Sequence, residues 1–353
     1  MLKKLSLTQK RLLLAIYIIV FGLLRIYSFI EKNYFLEGTE CDLLHQTFES
    51  KCIFAIYKDG PNEAYFTANG ESIIYVDGNV LKIKPVPFKA SLTSGSQFQH
   101  PYRIQAMGIS RDRKKVAVCV EDLEKKTIAE FWVWDVQNMV LLKRMPTPSG
   151  GCPVKIEFSP NDSVLGFTMN WISNINLLNW KTGELKVVSG SRFSFSPSGD
   201  MIAVYNEPTL ELLKYPSFEL TKKIQQNFNL IDQLAFSPDG SLLAAKPFSN
   251  ISLWRTDDGL LVDNLDNLYT SRCDMRFASP EKIVTCAEVV DESFVFTWFL
   301  FPDENIEQPA VYSSTLKTGS QSVYFVDVSL DESKILVTYS NSVGVFISPE
   351  GFK

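Results

Sequence analysis

Ile156-Glu157-Phe158-Ser159-Pro160-Asn161-Asp162, Phe193-Ser194-Phe195-Ser196-Pro197-Ser198-Gly199 and Leu234-Ala235-Phe236-Ser237-Pro238-Asp239-Gly240 are three copies of one plan. Each is followed by a short apolar run, at Val164–Phe167, Met201–Val204 and Leu242–Ala245. Pro and Asp or Gly set the dihedrals of a tight turn, and apolar residues flank it, so each copy reads as strand, turn, strand. Four weaker copies lie around them. Phe66 precedes Asn69-Gly70 and the run Ser72–Val76, and Ile109-Ser110 precedes Asp112 and Val116–Val120. Phe277 precedes Ser279-Pro280 and Ile283–Cys286, and Val328-Ser329 precedes Asp331 and Ile335–Thr338. The anchors at 66, 109, 158, 195, 236, 277 and 328 recur about every 44 residues, a period that belongs to repeat architectures.

A second element closes 17–25 residues after each anchor. It is clearest as Ile251-Ser252-Leu253-Trp254-Arg255, followed by Gly259, and recurs as Phe131-Trp132-Val133-Trp134-Asp135 and as Ile175–Asn179 followed by Gly183. This is a third strand ending on a turn, and runs such as Leu260–Asn264 supply a fourth. Four strands per unit, seven times over, resembles the WD-repeat β-propellers. The resemblance covers residues 48–353 and implies an all-β, seven-bladed propeller with four-stranded blades. At the family's tryptophan position stand Ile83, Trp134, Leu178, Leu213, Trp254, Trp298 and Phe346, and Gly-His occurs nowhere. The family's Asp-His-Ser/Thr-Trp hydrogen-bond network is therefore not expected in any blade, and apolar packing should hold the ring. The last unit ends after its third strand, so Cys52–Tyr57, an unassigned β-rich run, is expected to pair beside Val343–Ile347 and close the ring.

The 353 residues carry 35 basic and 40 acidic side chains. Lys3, Lys4, Lys10, Arg11 and Arg25 lie in the first thirty residues, where there is no acid, leaving −10 on the remainder. A body this acidic repels phosphate backbones, so no nucleic-acid partner is expected. Residues 12–30 form an apolar run with one charge, about 28 Å long as a helix, enough to span a bilayer. Residues 1–30 are read as a basic cytoplasmic head and a signal-anchor helix, 31–47 as a stalk, and 48–353 as the propeller. A cleaved signal peptide and a buried core helix are the competing readings. The basic head keeps the N-terminus in the cytoplasm and places the propeller on the extracytoplasmic side, periplasmic or lumenal.

With His45 and His100 as the only histidines, a His-rich metal site is excluded and most His-dependent nucleophilic mechanisms are disfavoured. Of six cysteines none forms Cys-x-x-Cys; Cys119 and Cys286 read as core residues on second strands, and Cys41 and Cys52 could form a disulfide in an oxidising compartment. Asn161-Asp162-Ser163 and Asn250-Ile251-Ser252 match the N-glycosylation pattern, which arises often by chance. Asp232, Asp274 and Glu63 fall where first strands begin, the place where some propellers hold a catalytic metal; a solvated acidic loop is the plainer reading. In WD-repeat proteins the loops leading into first strands and those joining second to third strands form one face. Here those loops carry Gln99, His100, Tyr102, Arg103, Trp171, Arg192, Phe248, Tyr269 and Arg272, and aromatics with Arg are the residues that anchor interfaces. The sequence thus reads as a membrane-anchored, non-enzymatic platform for protein partners, with no catalytic, cofactor or metal residues assigned. The alternative is an extracytoplasmic metal-dependent hydrolase or small-ligand-binding propeller. A third reading resembles the membrane-bound propellers that act as guanine-nucleotide exchange factors, which carry their span at the other end.

Overall fold

The computed structural model describes residues 52–57, 59–86, 95–122, 129–148, 150–169, 173–224, 230–247, 250–265, 274–289, 292–299, 313–319, 323–339 and 342–347. These residues form seven four-stranded antiparallel sheets. Six are cut from contiguous chain. They are Tyr65–Phe66, Ser72–Asp77, Val80–Pro85 and Ser96–Gln99 (β2–β5); Arg103–Ile109, Lys115–Glu121, Ala129–Asp135 and Val140–Pro146 (β6–β9); and Lys155–Phe158, Val164–Thr168, Asn174–Asn179 and Leu185–Ser189 (β10–β13). Then follow Arg192–Phe195, Met201–Asn206, Thr209–Lys214 and Leu220–Ile224 (β14–β17); Gln233–Phe236, Leu242–Lys246, Ile251–Arg255 and Leu261–Leu265 (β18–β21); and Met275–Ser279, Lys282–Val289, Glu292–Phe299 and Ser313–Gly319 (β22–β25). The remaining sheet is composite. Val323–Val328 (β26), Lys334–Tyr339 (β27) and Ser342–Ile347 (β28) are joined on the outer edge by Cys52–Tyr57 (β1), with Cys52 opposite Phe346 and Tyr57 opposite Ser342. The strand expected to close the ring is the one that does so.

Every repeat anchor ends or lies on the first strand of a sheet: Phe66 on β2, Ile109 on β6, Phe158 on β10, Phe195 on β14, Phe236 on β18, Phe277 on β22 and Val328 on β26. The seven residues at the tryptophan position all fall on third strands. First strands of neighbouring sheets do not share a ladder, so polar side chains join them. Glu157 Oε1 accepts the Phe195 N–H at 3.0 Å, and Asp327 Oδ2 accepts the Phe66 N–H at 2.9 Å. Gln233 makes a two-way bridge to Met275, donating to its carbonyl and accepting its N–H.

The repeated turn has a clear physical basis. In six of them a hydroxyl donates to an Asx carbonyl or carboxylate within the turn, as Ser159 does to Asn161 and Ser329 to Asp331. The same hydroxyl accepts the backbone N–H five residues on, at 2.9 Å in Ser110, Ser159, Ser196, Ser237 and Ser329. Ser329 and Ser333 beside Asp331 hold its carboxyl well below the usual range. Three residues after the hydroxyl the chain turns left-handed. Gly70, Gly199 and Gly240 occupy that position in three turns, as expected for a residue without Cβ. Arg113, Asp162 and Glu332 occupy it in three others. Each of these makes an ion pair to another sheet: Arg113 with Asp327, Asp162 with Lys115 at 2.8 Å, and Glu332 with Lys282 at 2.6 Å.

One expectation needs correction and another a closer look. Cys119 is fully buried on β7, but it is not a simple core thiol: it is disulfide-bonded to Cys152 in the β9–β10 connection. The bridge pins that connection to the second strand of the preceding sheet. A hydrogen bond of another kind stands at one tryptophan position, where Trp134 Nε1 donates to His100 Nε2 at 3.0 Å. His100 sits just before β6 and Trp134 near the end of β8, so the bond joins the entry of that sheet to its third strand directly, with no Ser or Thr between them. Residues 1–51, with the expected head, span and stalk, lie outside the described residues, as does Cys41; among the described residues no helix is long and apolar enough to cross a membrane.

Candidate functional site

The seven first strands surround a central channel of about 430 Å³. One mouth lies where these strands begin, at Glu63, Lys155, Gln233 and Asp274; call it the upper mouth. The other lies at the Ser-Pro turns, where Pro160, Pro197 and Pro238 meet Arg111. Arg111 reaches across this lower mouth and donates to the Pro197 carbonyl at 2.6 Å and the Pro238 carbonyl at 2.9 Å. Those carbonyls belong to the β14–β15 and β18–β19 turns, so one guanidinium spans the ring.

Inside, charges of both signs line the wall. Arg113 and Asp327 form a bidentate pair, 2.6 and 3.1 Å, with side chains 12% and 1% exposed. Arg113 also donates to the carbonyls of Phe66 and Val328, tying the composite sheet to β2. Lys155 lies 3.4 Å from Glu157. Arg192 donates to the Asp232 carbonyl at 2.7 Å and approaches its carboxylate at 3.4 Å. Burial pushes the Asp274 carboxyl up and the Lys246 ammonium down. Asp232, Asp274 and Glu63 do not assemble as a cage, and among the described residues no three His, Cys, Asp or Glu side chains gather to hold a metal ion.

Five of the nine residues of the expected interaction face fall among the described residues. Gln99 and Arg103 are exposed, and Arg103 forms a two-pronged ion pair with Asp59. Tyr102 is half-buried against the apolar cluster of the β2–β5 and β6–β9 sheets. His100 is corrected: it is 2% exposed, so a partner cannot reach it. Burial lowers its pKa to about 4, which keeps the ring neutral and able to accept from Trp134. Arg192 stands apart at the upper mouth, engaged with Asp232. Trp171, Phe248, Tyr269 and Arg272 lie outside the described residues.

One patch went unread in the sequence. The Trp132 ring, half-buried, carries the Arg144 guanidinium over it at 4.9 Å. Arg144 also pairs with Glu130 at 2.7 Å, and Trp132 Nε1 donates to the same carboxylate. Trp132 and Tyr102 pack against one apolar cluster, so the patch adjoins the Gln99–Arg103 connection. The period-2 alternation of Phe131-Trp132-Val133-Trp134 was the available signal: it buries 131 and 133 and turns 132 and 134 to the other face.

Comparison with known proteins places the fold. No family model matches the sequence, and no curated protein matches it. Solved structures do. The chain is similar to a chain of the crystal structure of a mitotic checkpoint complex, with a TM-score of 0.65 at 13% identity over 86% of this chain and 98% of that one. It is also similar to the β-propeller domain of Cps50 (Swd1) from Myceliophteria thermophila, with a TM-score of 0.63 at 10% identity over 85% and 99%. At such identities the likeness concerns architecture alone, and the architecture is that of a β-propeller built from four-stranded blades.

Proposed function

We propose that this chain is a non-enzymatic, WD-repeat-like propeller that serves as a platform for protein partners, with the composite sheet acting as its seventh blade. The observation that carries the reading is the patch of Tyr102, Arg103, Trp132 and Arg144 at the β5–β6 connection and on β8 and β9. A half-buried Trp under an Arg, beside a Tyr and a second exposed Arg, is the composition of an interface hot spot. Similarity to a chain solved within a mitotic checkpoint complex supports the same reading. The hydrolase alternative gains no support from Asp232, which holds Arg192 rather than standing open. Proximity labelling in cells with the full chain tests the patch. Trp132→Ala with Arg144→Ala should remove specific labelled partners while the melting temperature falls by only a few degrees; an unchanged partner set would overturn the assignment.

The reading includes a membrane tether at residues 12–30 and a propeller on the extracytoplasmic side. The hydropathy and basic head of the first thirty residues support it, and so does the Cys119–Cys152 disulfide, because such bonds persist in oxidising compartments. Protease applied to the cytoplasmic side of sealed vesicles should leave residues 31–353 intact, and thiol alkylation in cells should modify Cys119 and Cys152 only after reduction. Digestion of the propeller from the cytoplasmic side would contradict the placement.

A further inference from the structure

Arg276 on β22 is the odd charge of the channel. Its guanidinium leans on the rings of Tyr65 and Phe325, 5.1 and 4.8 Å from their centroids. Its Nε is sealed from solvent without a hydrogen-bond partner, and among the described residues no carboxylate lies within ion-pair distance of it. Enclosed guanidinium groups are ordinarily paired, since an uncompensated buried charge is strongly unfavourable. The neighbours compensate it only in part: Tyr65 hydrogen-bonds to the side chain, and Asp327 and Asp274 attract it from beyond ion-pair contact. Asp327 is held by Arg113 in a bidentate pair, and Glu157 accepts the Phe195 N–H and faces Lys155. Tyr65 is pushed above its ordinary range by burial and stays neutral. Asp274, two residues back and just before the strand, has its carboxyl pushed up by burial, which weakens it as a counter-charge. Arg111, a third guanidinium on the wall, is satisfied by neutral carbonyls and adds positive charge at the lower mouth.

We infer that the channel is a binding site for a small oxyanion, held by the edge of Arg276 and entering past Lys155 at the upper mouth. The planar fork of a guanidinium matches the two oxygens of a carboxylate or a phosphate, and a volume of about 430 Å³ lies in the range of small-ligand sites. The ring faces of Tyr65 and Phe325 hold the fork in place, so little side-chain freedom is lost on binding. The inference stands apart from the interaction patch, which is on the outside of the ring.

Isothermal titration of the full chain in detergent, at constant ionic strength, tests it with malonate and inorganic phosphate as probes and chloride as the reference. Saturable one-to-one binding of malonate, of phosphate or of both is expected, and the stronger arm identifies the carboxylate or the phosphate as the natural group. Arg276→Lys, which keeps the charge and loses the fork, should weaken binding at least tenfold, and Lys155→Gln should weaken it severalfold. Arg276→Met should abolish it, with circular dichroism confirming the fold; if that variant does not fold, Arg276→Lys decides. Absence of saturable binding by either probe, leaving the channel to water, or binding unchanged in Arg276→Lys, would overturn the site.

Discussion

In the β14–β17 and β18–β21 sheets the left-handed turn residue is Gly199 or Gly240, and the packing is aromatic: Phe193 and Phe195 edge to face, Phe236, and a Trp254 only 2% exposed. In the β6–β9, β10–β13 and composite sheets that residue is Arg113, Asp162 or Glu332, and each reaches another sheet through an ion pair. The Cys119–Cys152 disulfide and the Trp134–His100 bond lie in this second region as well. A glycine turn satisfies its own backbone and can do no more. A charged residue in the same conformation carries strain of about 1–2 kcal/mol, but its side chain leaves the turn toward a neighbouring sheet. Of these locks only Arg113–Asp327 reaches the sheet that closes the ring across the ends of the chain; Asp162–Lys115, Glu332–Lys282 and the disulfide join sheets that follow one another, so a charged turn adds a cross-sheet tie wherever it falls, and a glycine turn leaves the joint to packing.

The sharpest way to break this comparison is to remove one lock from each region. Arg113→Ala strands Asp327, 1% exposed, and two carbonyls, and should cost about 3–5 kcal/mol. Trp254→Ala should cost a similar amount, about 3–5 kcal/mol, through the cavity it leaves. Urea unfolding measures both. If Arg113→Ala costs under about 1 kcal/mol while Trp254→Ala is costly, the polar locks do not matter and packing alone holds the ring.

Next in size is the disulfide. It closes a span of 33 residues, so reduction should destabilise the chain by about 3–4 kcal/mol on the chain-entropy account. Thermal melts with and without reductant read this directly, and a Cys119→Ala, Cys152→Ser chain should show no further response to reductant.

His100 sharpens the comparison by pH. Its folded pKa of about 4 lies below the unfolded value of 6.5, so the folded state prefers the neutral ring. The stabilisation is full above pH 6.5 and falls as the pH drops toward 4, a loss of about 2–3 kcal/mol. Denaturant unfolding between pH 7 and pH 4 should show that slope, and His100→Gln should flatten it. An unchanged slope would place the titrating groups elsewhere.

The smallest effect concerns the turns themselves. Gly240→Ala forces a Cβ into the left-handed region with no ion pair to offset it, and should cost about 1 kcal/mol. Asp162→Gly removes strain and a half-buried pair together, so its net effect should lie within about 0.5 kcal/mol of zero.

The sequence made the periodic part of this molecule readable. Phe158, Phe195 and Phe236 recur with their turns, and a period is visible without knowing where the chain folds back. The placing of Cys52–Tyr57 followed from counting strands. What stayed hidden were pairings between distant residues. Asp327 lies 214 positions from Arg113, and nothing local marks either as a partner. Cys119 and Cys152 carry no motif, and connectivity among six cysteines is not deducible from spacing. His100 looked like a loop residue because its partner, Trp134, comes from the third strand of the following sheet. The patch of Trp132 and Arg144 stayed hidden for a different reason: the alternation of β8 marks a strand but not that Arg144, from the next strand, lies over the Trp132 ring.

The account turns on the claim that the ring is closed by the strand that follows the proposed tether. The most direct test compares a chain beginning at residue 48 with one beginning at residue 59. Size-exclusion chromatography and thermal melting of the two should differ sharply. The longer chain should be a cooperative monomer. The shorter one lacks β1, exposes the edge of β28, and should associate or aggregate with a lowered melting temperature. A monomeric chain from residue 59 with an unchanged melt would contradict the closure.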